Sequence, residues 1–236
     1  EIRGLIGENG SGKSTISSIA AGMQKATSGR MTFKKQSWEP ASMIDALQNG
    51  IGMVVQESGT ISGVTVAENI FLAELSQFRN KLGMINKKAM NQKATEAMRA
   101  IGVEHVIGDM PIDSLDFQTR KLVEIAKVML KNPDILVIDE TSTALSQDGR
   151  EIMYSLIRKL RDSGKAIIFI SHDLEEVIEQ SDNISVLRDG VKIGSITKEE
   201  ATPDRLKALM VGREIGDSYY RTDYGEKVSD EVVLSA

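Results

Sequence analysis

Short apolar runs alternate along the chain with segments in which apolar residues recur every three or four positions. The runs lie at 2–6, 51–55, 135–138 and 166–170, and their length and composition are typical of buried strands. The segments between and after them have the spacing of helices that turn one face toward a core. This alternation predicts an α/β fold built around a mostly parallel sheet.

Between residues 61 and 131 the pattern predicts helices without intervening strands. Thr65 and Glu68 have the spacing of a capping box, in which each side chain bonds the other residue's backbone at a helix N-terminus. Asn86 is placed to cap the next helix, and a third helix is predicted over 119–130. This stretch therefore predicts a helical subdomain inserted into the α/β core.

The last third of the chain returns to alternating strands and helices. A helix is predicted over 151–160, Asp189-Gly190 between two apolar runs indicates a hairpin, and Pro203 is placed to begin a short helix. Beyond it the chain turns polar and ends on a short apolar run. The predicted organisation is a core at 1–60 and 132–214, a helical subdomain at 61–131, and a linker with the first strand of a further domain at 215–236.

Composition limits the classes of protein to which this chain can belong. Of its 236 residues, 41% are hydrophobic and 27% are charged, which is ordinary for a globular domain. The net charge of −5 argues against nucleic acid as a partner, and the absence of cysteine argues against a disulfide framework. No apolar run approaches the roughly 18 residues that a membrane-spanning helix needs. We therefore expect any role at a membrane to depend on a partner.

Residues 7–15 read Gly-Glu-Asn-Gly-Ser-Gly-Lys-Ser-Thr, which is a complete match to the phosphate-binding pattern G-x-x-x-x-G-K-[ST]. In this pattern backbone N–H groups cradle a polyphosphate, Lys13 reaches the β- and γ-phosphates, and the Ser14 hydroxyl ligates Mg²⁺. The alternative is a glycine-rich turn that happens to precede a helix. The predicted phosphate-binding residues are Gly7, Asn9, Gly10, Ser11, Gly12, Lys13, Ser14 and Thr15.

Two carboxylates follow the apolar run at 135–138. At the end of a strand beside a phosphate loop, Asp139 is placed to hold Mg²⁺, often through water. Glu140 lies one residue further and is placed to act as general base toward an attacking water. The alternative is a strand that ends in two solvated acids.

His172 and Gln56 also follow apolar runs. In a parallel sheet the carboxyl ends of the strands face one crevice, so His172 is predicted to contact the γ-phosphate. Gln56 is a candidate to ligate Mg²⁺, orient water and report the nucleotide state to a moving segment. For both His172 and Gln56 the alternative is a purely structural role at the end of a strand. A glutamine by itself gives little indication of function.

Taken in order, the phosphate loop, Gln56, the helical region, Asp139-Glu140 and His172 resemble the nucleotide-binding domain of an ATP-binding cassette (ABC) transporter. The stretches 66–72, 123–127 and 210–213 resemble the first cassette of the tandem ATPases that drive monosaccharide import. The resemblance implies a P-loop NTPase (RecA-like) core, ATP with Mg²⁺, and a place on the cytoplasmic face of the cell membrane. It also implies three partners: a second nucleotide-binding cassette, transmembrane permease subunits and, indirectly, a periplasmic or extracellular sugar-binding protein.

The segment that matches the family signature, residues 115–119, departs from the pattern Leu-Ser-Gly-Gly-Gln. Asp116 replaces the serine and Gln118 replaces the second glycine. In the family this segment contacts the γ-phosphate held by the opposite cassette. A carboxylate about 4 Å from a phosphate charge costs about 4 kcal/mol at an effective dielectric constant near 20. We therefore predict that this signature does not support hydrolysis at the site it faces.

Further departures concern the segment after Glu140 and the start of the chain. Ser146 replaces the aspartate of a segment that communicates between the two sites, so the sequence does not predict the usual coupling between them. The chain opens at Glu1 directly on the phosphate-loop strand, so we expect the strands and the adenine-stacking aromatic residue of the family to lie upstream. Without those strands the sheet should have an exposed edge. Trp38 is expected to pack rather than to stack on a base.

The leading interpretation is an ATP-hydrolysing subunit of a sugar importer, or its first half, that is weak or inactive without a partner cassette. One alternative is a soluble ABC-type ATPase of another process, although the chain is acidic and shows no sustained coiled-coil pattern. Another is a non-catalytic or truncated ATP-binding module, which Asp116, Gln118 and Ser146 favour. The intact phosphate loop, Asp139 and Glu140 argue against that module.

Overall fold

Eight strands and eight α-helices lie within residues 1–55 and 59–212, which are the residues described by this computed structural model. The strands are β1 (Ile2–Ile6), β2 (Thr32–Phe33), β3 (Gln36–Ser37), β4 (Ile51–Val54), β5 (Ile135–Asp139), β6 (Ala166–Ile170), β7 (Asn183–Arg188) and β8 (Val191–Thr197). The helices are α1 (Lys13–Ala20), α2 (Met43–Gln48), α3 (Val66–Phe71), α4 (Lys87–Ala100), α5 (Phe117–Met129), α6 (Gln147–Asp162), α7 (Leu174–Gln180) and α8 (Pro203–Val211). Gln56 and the segment 215–236 lie outside the described residues.

Six strands form one sheet in the order β4-β5-β6-β1-β7-β8. All neighbours are parallel except β7 and β8, which form the predicted hairpin. Asp189 and Gly190 both have positive φ at its turn, as the two-residue hairpin turn that matches strand twist requires. The mostly parallel sheet is therefore confirmed, and β8 forms an edge at which most residues are exposed.

The central strands are apolar throughout because both of their faces are covered. Val137 of β5 and Phe169 of β6 are fully buried, and α6 and α7 pack against β6 and β1. Such burial explains the continuous apolar runs of the sequence. The order of the strands also places the carboxyl ends of β1, β5 and β6 side by side at one edge of the sheet.

Helices α3, α4 and α5 form the insertion between β4 and β5. The capping box of Thr65 and Glu68 at α3 is present, and the Asn86 side chain accepts a hydrogen bond from the Ala89 backbone at the start of α4. Phe71 and Phe78 pack edge to face with ring centroids 4.9 Å apart. The predicted helices are thus confirmed, while the subdomain boundaries at 61 and 131 stay predictions.

Two helices begin earlier than the apolar pattern predicts. Helix α5 begins at Phe117 because Asp116 caps it, and α6 begins at Gln147 because Ser146 caps it. Their first turns are largely polar, so an apolar pattern does not reveal them. Trp38 packs as predicted, since its Nε1–H donates to the Ala20 carbonyl at 2.8 Å.

Candidate functional site

The loop after β1 has glycine where the backbone leaves no room for a side chain. A Cβ at Gly7 would lie 2.3 Å from the Leu187 carbonyl oxygen and 2.4 Å from Ser11 Oγ. Gly12 caps α1 with a φ of 97°, a left-handed conformation that glycine adopts without strain. The glycines therefore let the loop close tightly against β7 and lead directly into α1.

Lys13 folds back over this loop. Its side chain is buried, and Nζ donates to the carbonyl oxygens of Gly7 at 2.8 Å and Glu8 at 3.1 Å. The loop is therefore ordered around a buried ammonium group at the N-terminus of a helix, which is an arrangement that attracts anions. The residues of the loop and first turn that remain exposed are Glu8, Asn9, Gly10, Ser14, Thr15 and Ile16.

Asp139 lies at the end of β5, close to the first turn of α1. Burial raises the pKa of its carboxyl group, while the adjacent Ser14 hydroxyl and the charges of Lys13 and His172 lower that pKa. Asp139 Oδ1 is buried and has no hydrogen-bond partner among the described residues. A buried carboxylate oxygen beside a serine hydroxyl suits a hard cation such as Mg²⁺, which prefers oxygen ligands.

Glu140 and His172 contact each other at the ends of β5 and β6. His172 Nε2 lies 2.6 Å from Glu140 Oε1, with the glutamate buried and the histidine half-exposed. Glu140 has a φ of 48°, and its N–H donates to the Ile170 carbonyl at 3.0 Å. A left-handed backbone at a non-glycine residue is strained, and such strain is concentrated at functional sites.

The tertiary structure thus brings together five of the predicted site residues: Lys13, Ser14, Asp139, Glu140 and His172. Gln56 lies outside the described residues, so its predicted role stays a prediction. Val54, two residues before Gln56, is described: its carbonyl accepts a hydrogen bond of 3.5 Å from the buried Thr141 hydroxyl, which lies in the segment after Glu140. The end of β4 therefore lies beside the end of β5.

Glu176, in the first turn of α7, is a residue that the sequence did not single out. Its carboxylate accepts hydrogen bonds from the hydroxyl groups of Ser142, Tyr154 and Ser171. Ser142 follows Glu140 by two residues, Tyr154 lies on α6, and Ser171 immediately precedes His172. No local pattern predicts this cluster because each member comes from a different element.

A buried ion pair on α5 was also missed. Lys121 Nζ donates to Glu124 Oε2 at 2.9 Å and to the Val55 carbonyl at 2.9 Å, and Glu124 Oε1 accepts from the Gly59 N–H at 2.5 Å. The pair therefore binds the chain on both sides of Gln56. Lysine and glutamate three residues apart on the apolar face of a helix were the available signal.

The altered signature residues make local contacts within the chain. Asp116 Oδ1 accepts a hydrogen bond from the Thr119 N–H at 2.7 Å. The Thr119 side chain and this N–H together hold the pKa of Asp116 below its usual value. Gln118 Oε1 accepts from the Ser146 N–H at 2.7 Å. The predicted failure of this signature to support hydrolysis stays a prediction.

An apolar groove separates the core from the helical insertion. It has a volume of about 310 Å³ and runs between α2 on one side and α3 and α5 on the other. Ile44, Leu72 and Leu130 contribute exposed apolar side chains to it. Apolar side chains gathered in a surface groove are typical of a binding surface for another protein.

Comparison with known proteins identifies the family. The model of a family described as "ABC transporter" matches residues 1–143. This chain belongs to the ABC transporter family. Among its relatives, the ribose import ATP-binding protein RbsA of Yersinia pestis is 39% identical over 220 residues, covering 93% of this chain and 42% of the relative. The arabinose import ATP-binding protein AraG 2 of Burkholderia cenocepacia is 33% identical over 237 residues, covering 100% of this chain and 45% of the relative.

The chain therefore spans less than half the length of these relatives.

Solved structures agree on the fold of this ABC family member. A protein from Clostridium perfringens, part of an ABC transporter complex, has a TM-score of 0.68 and 26% identity, covering 90% of this chain and 83% of its own. A nucleotide-free ATP-binding cassette from an ABC transporter has a TM-score of 0.72 and 23% identity, and the match covers 89% of this chain and 87% of that cassette. The predicted family and fold class are confirmed.

Within residues 1–55 and 59–212, none of the helices is both long and apolar enough to cross a membrane.

Proposed function

We propose that this chain is an ATP-binding and ATP-hydrolysing cassette that drives import of a sugar. The observation that carries the proposal is the convergence of Lys13, Asp139, Glu140 and His172 at one edge of the sheet. The named activities of the relatives, ribose import and arabinose import, support sugar as the transported class. ATP binding would bring two cassettes together, and hydrolysis would release them.

Phosphate binding would rest on the loop at 7–15. Lys13 Nζ is held by two backbone carbonyls, and exchanging one of them for a phosphate oxygen brings its charge to the β- and γ-phosphates. Backbone N–H groups at the start of α1 complete the cradle.

Ser14 and Asp139 are the proposed ligands of Mg²⁺, together with Gln56. The unpartnered Oδ1 of Asp139 supports this assignment, because a buried carboxylate oxygen without a partner is costly unless a cation or water occupies the space beside it. Magnesium, when bound, neutralises charge that develops on the β- and γ-phosphate oxygens.

Glu140 and His172 would handle the attacking water and the γ-phosphate. Glu140 would accept a proton from the water as the water oxygen bonds to the γ-phosphorus and the bond from that phosphorus to the bridging oxygen breaks, so that ADP leaves. His172 Nε2, now 2.6 Å from Glu140 Oε1, is placed to donate instead to a γ-phosphate oxygen. Gln56 is the proposed group that orients the water.

The site needs a second cassette to be complete. The signature that closes over Lys13 would come from that partner, and Asp116 of this chain would face the weaker site. Permease subunits are the proposed occupant of the groove at Ile44, Leu72 and Leu130, because exposed apolar side chains in a groove suit a protein partner and the relatives are named as import ATP-binding proteins. A sugar-binding protein would contact those subunits on the other face, and this chain would sit on the cytoplasmic face of the membrane.

The test measures ATP turnover by this chain alone and mixed with a cassette that has an intact signature. We expect weak turnover alone, higher turnover in the mixture, and loss of that turnover when Glu140→Gln is introduced here. Glu151→Gln, an exposed change on α6, is the matched control. Turnover by this chain alone at the rate of the mixture would contradict the need for a partner.

A non-catalytic ATP-binding module is the second candidate, and the side chains at Asp116 and Gln118 favour it. It predicts ATP binding without hydrolysis. Unchanged turnover of the mixture on Glu140→Gln would support this candidate, because the chain would then contribute no general base.

A further inference from the structure

Glu176 accepts hydrogen bonds from three hydroxyl groups on three separate segments. Ser142 Oγ donates to Oε2 at 2.9 Å, Ser171 Oγ donates to the same oxygen, and the Tyr154 hydroxyl donates to Oε1. Both serine residues are buried. An ionised carboxylate accepts hydrogen bonds and donates none, so three hydroxyl donors match its charged form.

Two of these donors belong to the turns that carry the proposed catalytic pair. Ser142 follows Glu140 by two residues, and Ser171 immediately precedes His172. One carboxylate oxygen thus joins the turn after β5 to the turn after β6. The same two turns meet again at the contact of 2.6 Å between His172 Nε2 and Glu140 Oε1.

Rigid elements hold Glu176 itself. Asp173 caps α7, with Oδ1 accepting from the N–H groups of Glu175 at 3.0 Å and Glu176 at 3.1 Å. The Asp173 N–H in turn donates to Ser171 Oγ at 3.1 Å. The next residue, Val177, is fully buried against the sheet. The carboxylate is therefore fixed relative to β1, which leads into the phosphate loop.

The third donor, Tyr154, extends the cluster to α6. Burial and the hydrogen bond to Glu176 raise the pKa of its hydroxyl, so this group stays protonated and remains a donor. Its ring packs edge to face on Phe169 of β6 with centroids 6.4 Å apart. The cluster therefore links α6, α7 and the ends of both strands.

We propose that Glu176 is a positioning residue, which sets the separation of Glu140 and His172 and makes their two turns move as one unit. The proposal rests on the proposed function, in which Glu140 and His172 act on water and phosphate. Loss of the carboxylate would leave nucleotide binding intact, because Lys13 and the loop at 7–15 lie on other segments. It would impair the attack of water on the γ-phosphate, because that step needs Glu140 and His172 at a fixed separation.

The experiment compares Glu176→Gln with Glu175→Gln, an exposed neighbour in the same turn of α7. Both variants are measured in the mixture with the signature-intact cassette. We expect Glu176→Gln to lower kcat by about tenfold or more at an unchanged KM for ATP. Glu175→Gln should leave both constants unchanged. Equal kcat values for the two variants would overturn the proposal.

Serine variants add a rescue that a general loss of stability would not produce. Ser142→Ala removes one donor and should lower kcat, whereas Ser142→Thr keeps a hydroxyl group and should recover most of the loss. If Glu176→Gln fails to fold, this pair still decides the question. Equal kcat values for Ser142→Ala and Ser142→Thr would contradict the proposal.

A measurement on the chain alone does not depend on turnover. The sequence has two histidines, so the ring resonances of His172 are assigned by comparison with a His105→Gln variant. Glu176→Gln should shift the His172 ring signal, and Glu175→Gln should not. An unshifted His172 signal in Glu176→Gln would overturn the proposal.

The two hypotheses fail in different ways. Turnover that survives Glu140→Gln contradicts the proposed function. Turnover that is lost in Glu140→Gln but is normal in Glu176→Gln contradicts only the positioning role.

Discussion

The Ser146 N–H donates a hydrogen bond of 2.7 Å to Gln118 Oε1, and both residues occupy positions at which this chain departs from the ABC pattern. Gln118 replaces a glycine of the signature, and Ser146 replaces the aspartate after Glu140. The Gln118 side chain, at a position where the pattern has glycine, thus bonds the backbone at the start of α6. The two departures are physically linked within one chain.

Replacing Gln118 with alanine should release the Ser146 N–H to solvent. We expect faster hydrogen exchange at that amide and a loss of stability of about 0.5–1.5 kcal/mol, the usual worth of one hydrogen bond. Helix α6 should persist, because the Ser146 side chain still accepts from the Gly149 N–H. Gln147→Ala, at an exposed position beside it, is the control. Identical exchange at Ser146 in both variants would show that the bond does not form in solution.

Asp116 should contribute to stability as a helix cap. Asp116→Ala should cost about 0.5–2 kcal/mol in the free energy of unfolding, and Asp116→Ser, which keeps a cap, should cost less. Because the folded pKa of Asp116 is lowered, this stabilisation is present above the usual aspartate range and is lost as pH falls through the folded pKa.

Urea unfolding of the Asp116 variants at pH 7 and near pH 3 measures this effect. The difference between wild type and Asp116→Ala should shrink at the lower pH. A difference that grows on acidification would exclude an ionised cap. Asp109→Ala, at an exposed aspartate in the same subdomain, serves as the control.

Lys121 and Glu124 should be strongly coupled because their charges are buried together. Lys121→Met leaves Glu124 with a buried charge, and we expect a loss of about 3–5 kcal/mol. The double variant Lys121→Met with Glu124→Leu should cost less than the sum of the single changes, since no unpaired charge remains. A double-mutant cycle by thermal or urea unfolding measures the difference, and additive costs would contradict coupling. Lys127→Met, on the same helix, is the matched single change.

Lys13 should act on nucleotide affinity. Lys13→Met removes a charged donor, worth about 1.5–3 kcal/mol, so ATP affinity should fall about 10- to 150-fold. Titration with a fluorescent ATP analogue checks the change, with Lys25→Met at an exposed position after α1 as control. Equal affinities of the two variants would mean that the loop does not bind phosphate through Lys13.

Local chemistry in the sequence was enough to predict the elements that carry the site. The spacing of glycine, Lys13 and Ser14 predicts a strand, a loop and a helix, because only glycine fits the closed loop and only a helix N-terminus presents so many free N–H groups. The caps at Thr65 and Asn86 follow from hydrogen bonds three residues apart. Such interactions lie within a few residues, so their pattern is visible in the chain itself.

The tertiary structure alone decided how those elements meet. Gln118 and Ser146 are 28 residues apart in sequence, Ser142 and Glu176 are 34 apart, and Gly59 and Glu124 are 65 apart. Their contacts depend on β1 lying between β6 and β7 and on α5 packing beside β4. The order of strands in a sheet follows from the burial of many apolar side chains at once. The sequence of one strand does not indicate which strands will lie beside it. The sequence therefore determined that Lys13, Asp139, Glu140 and His172 were candidates, and the packing of the sheet decided that they share one edge.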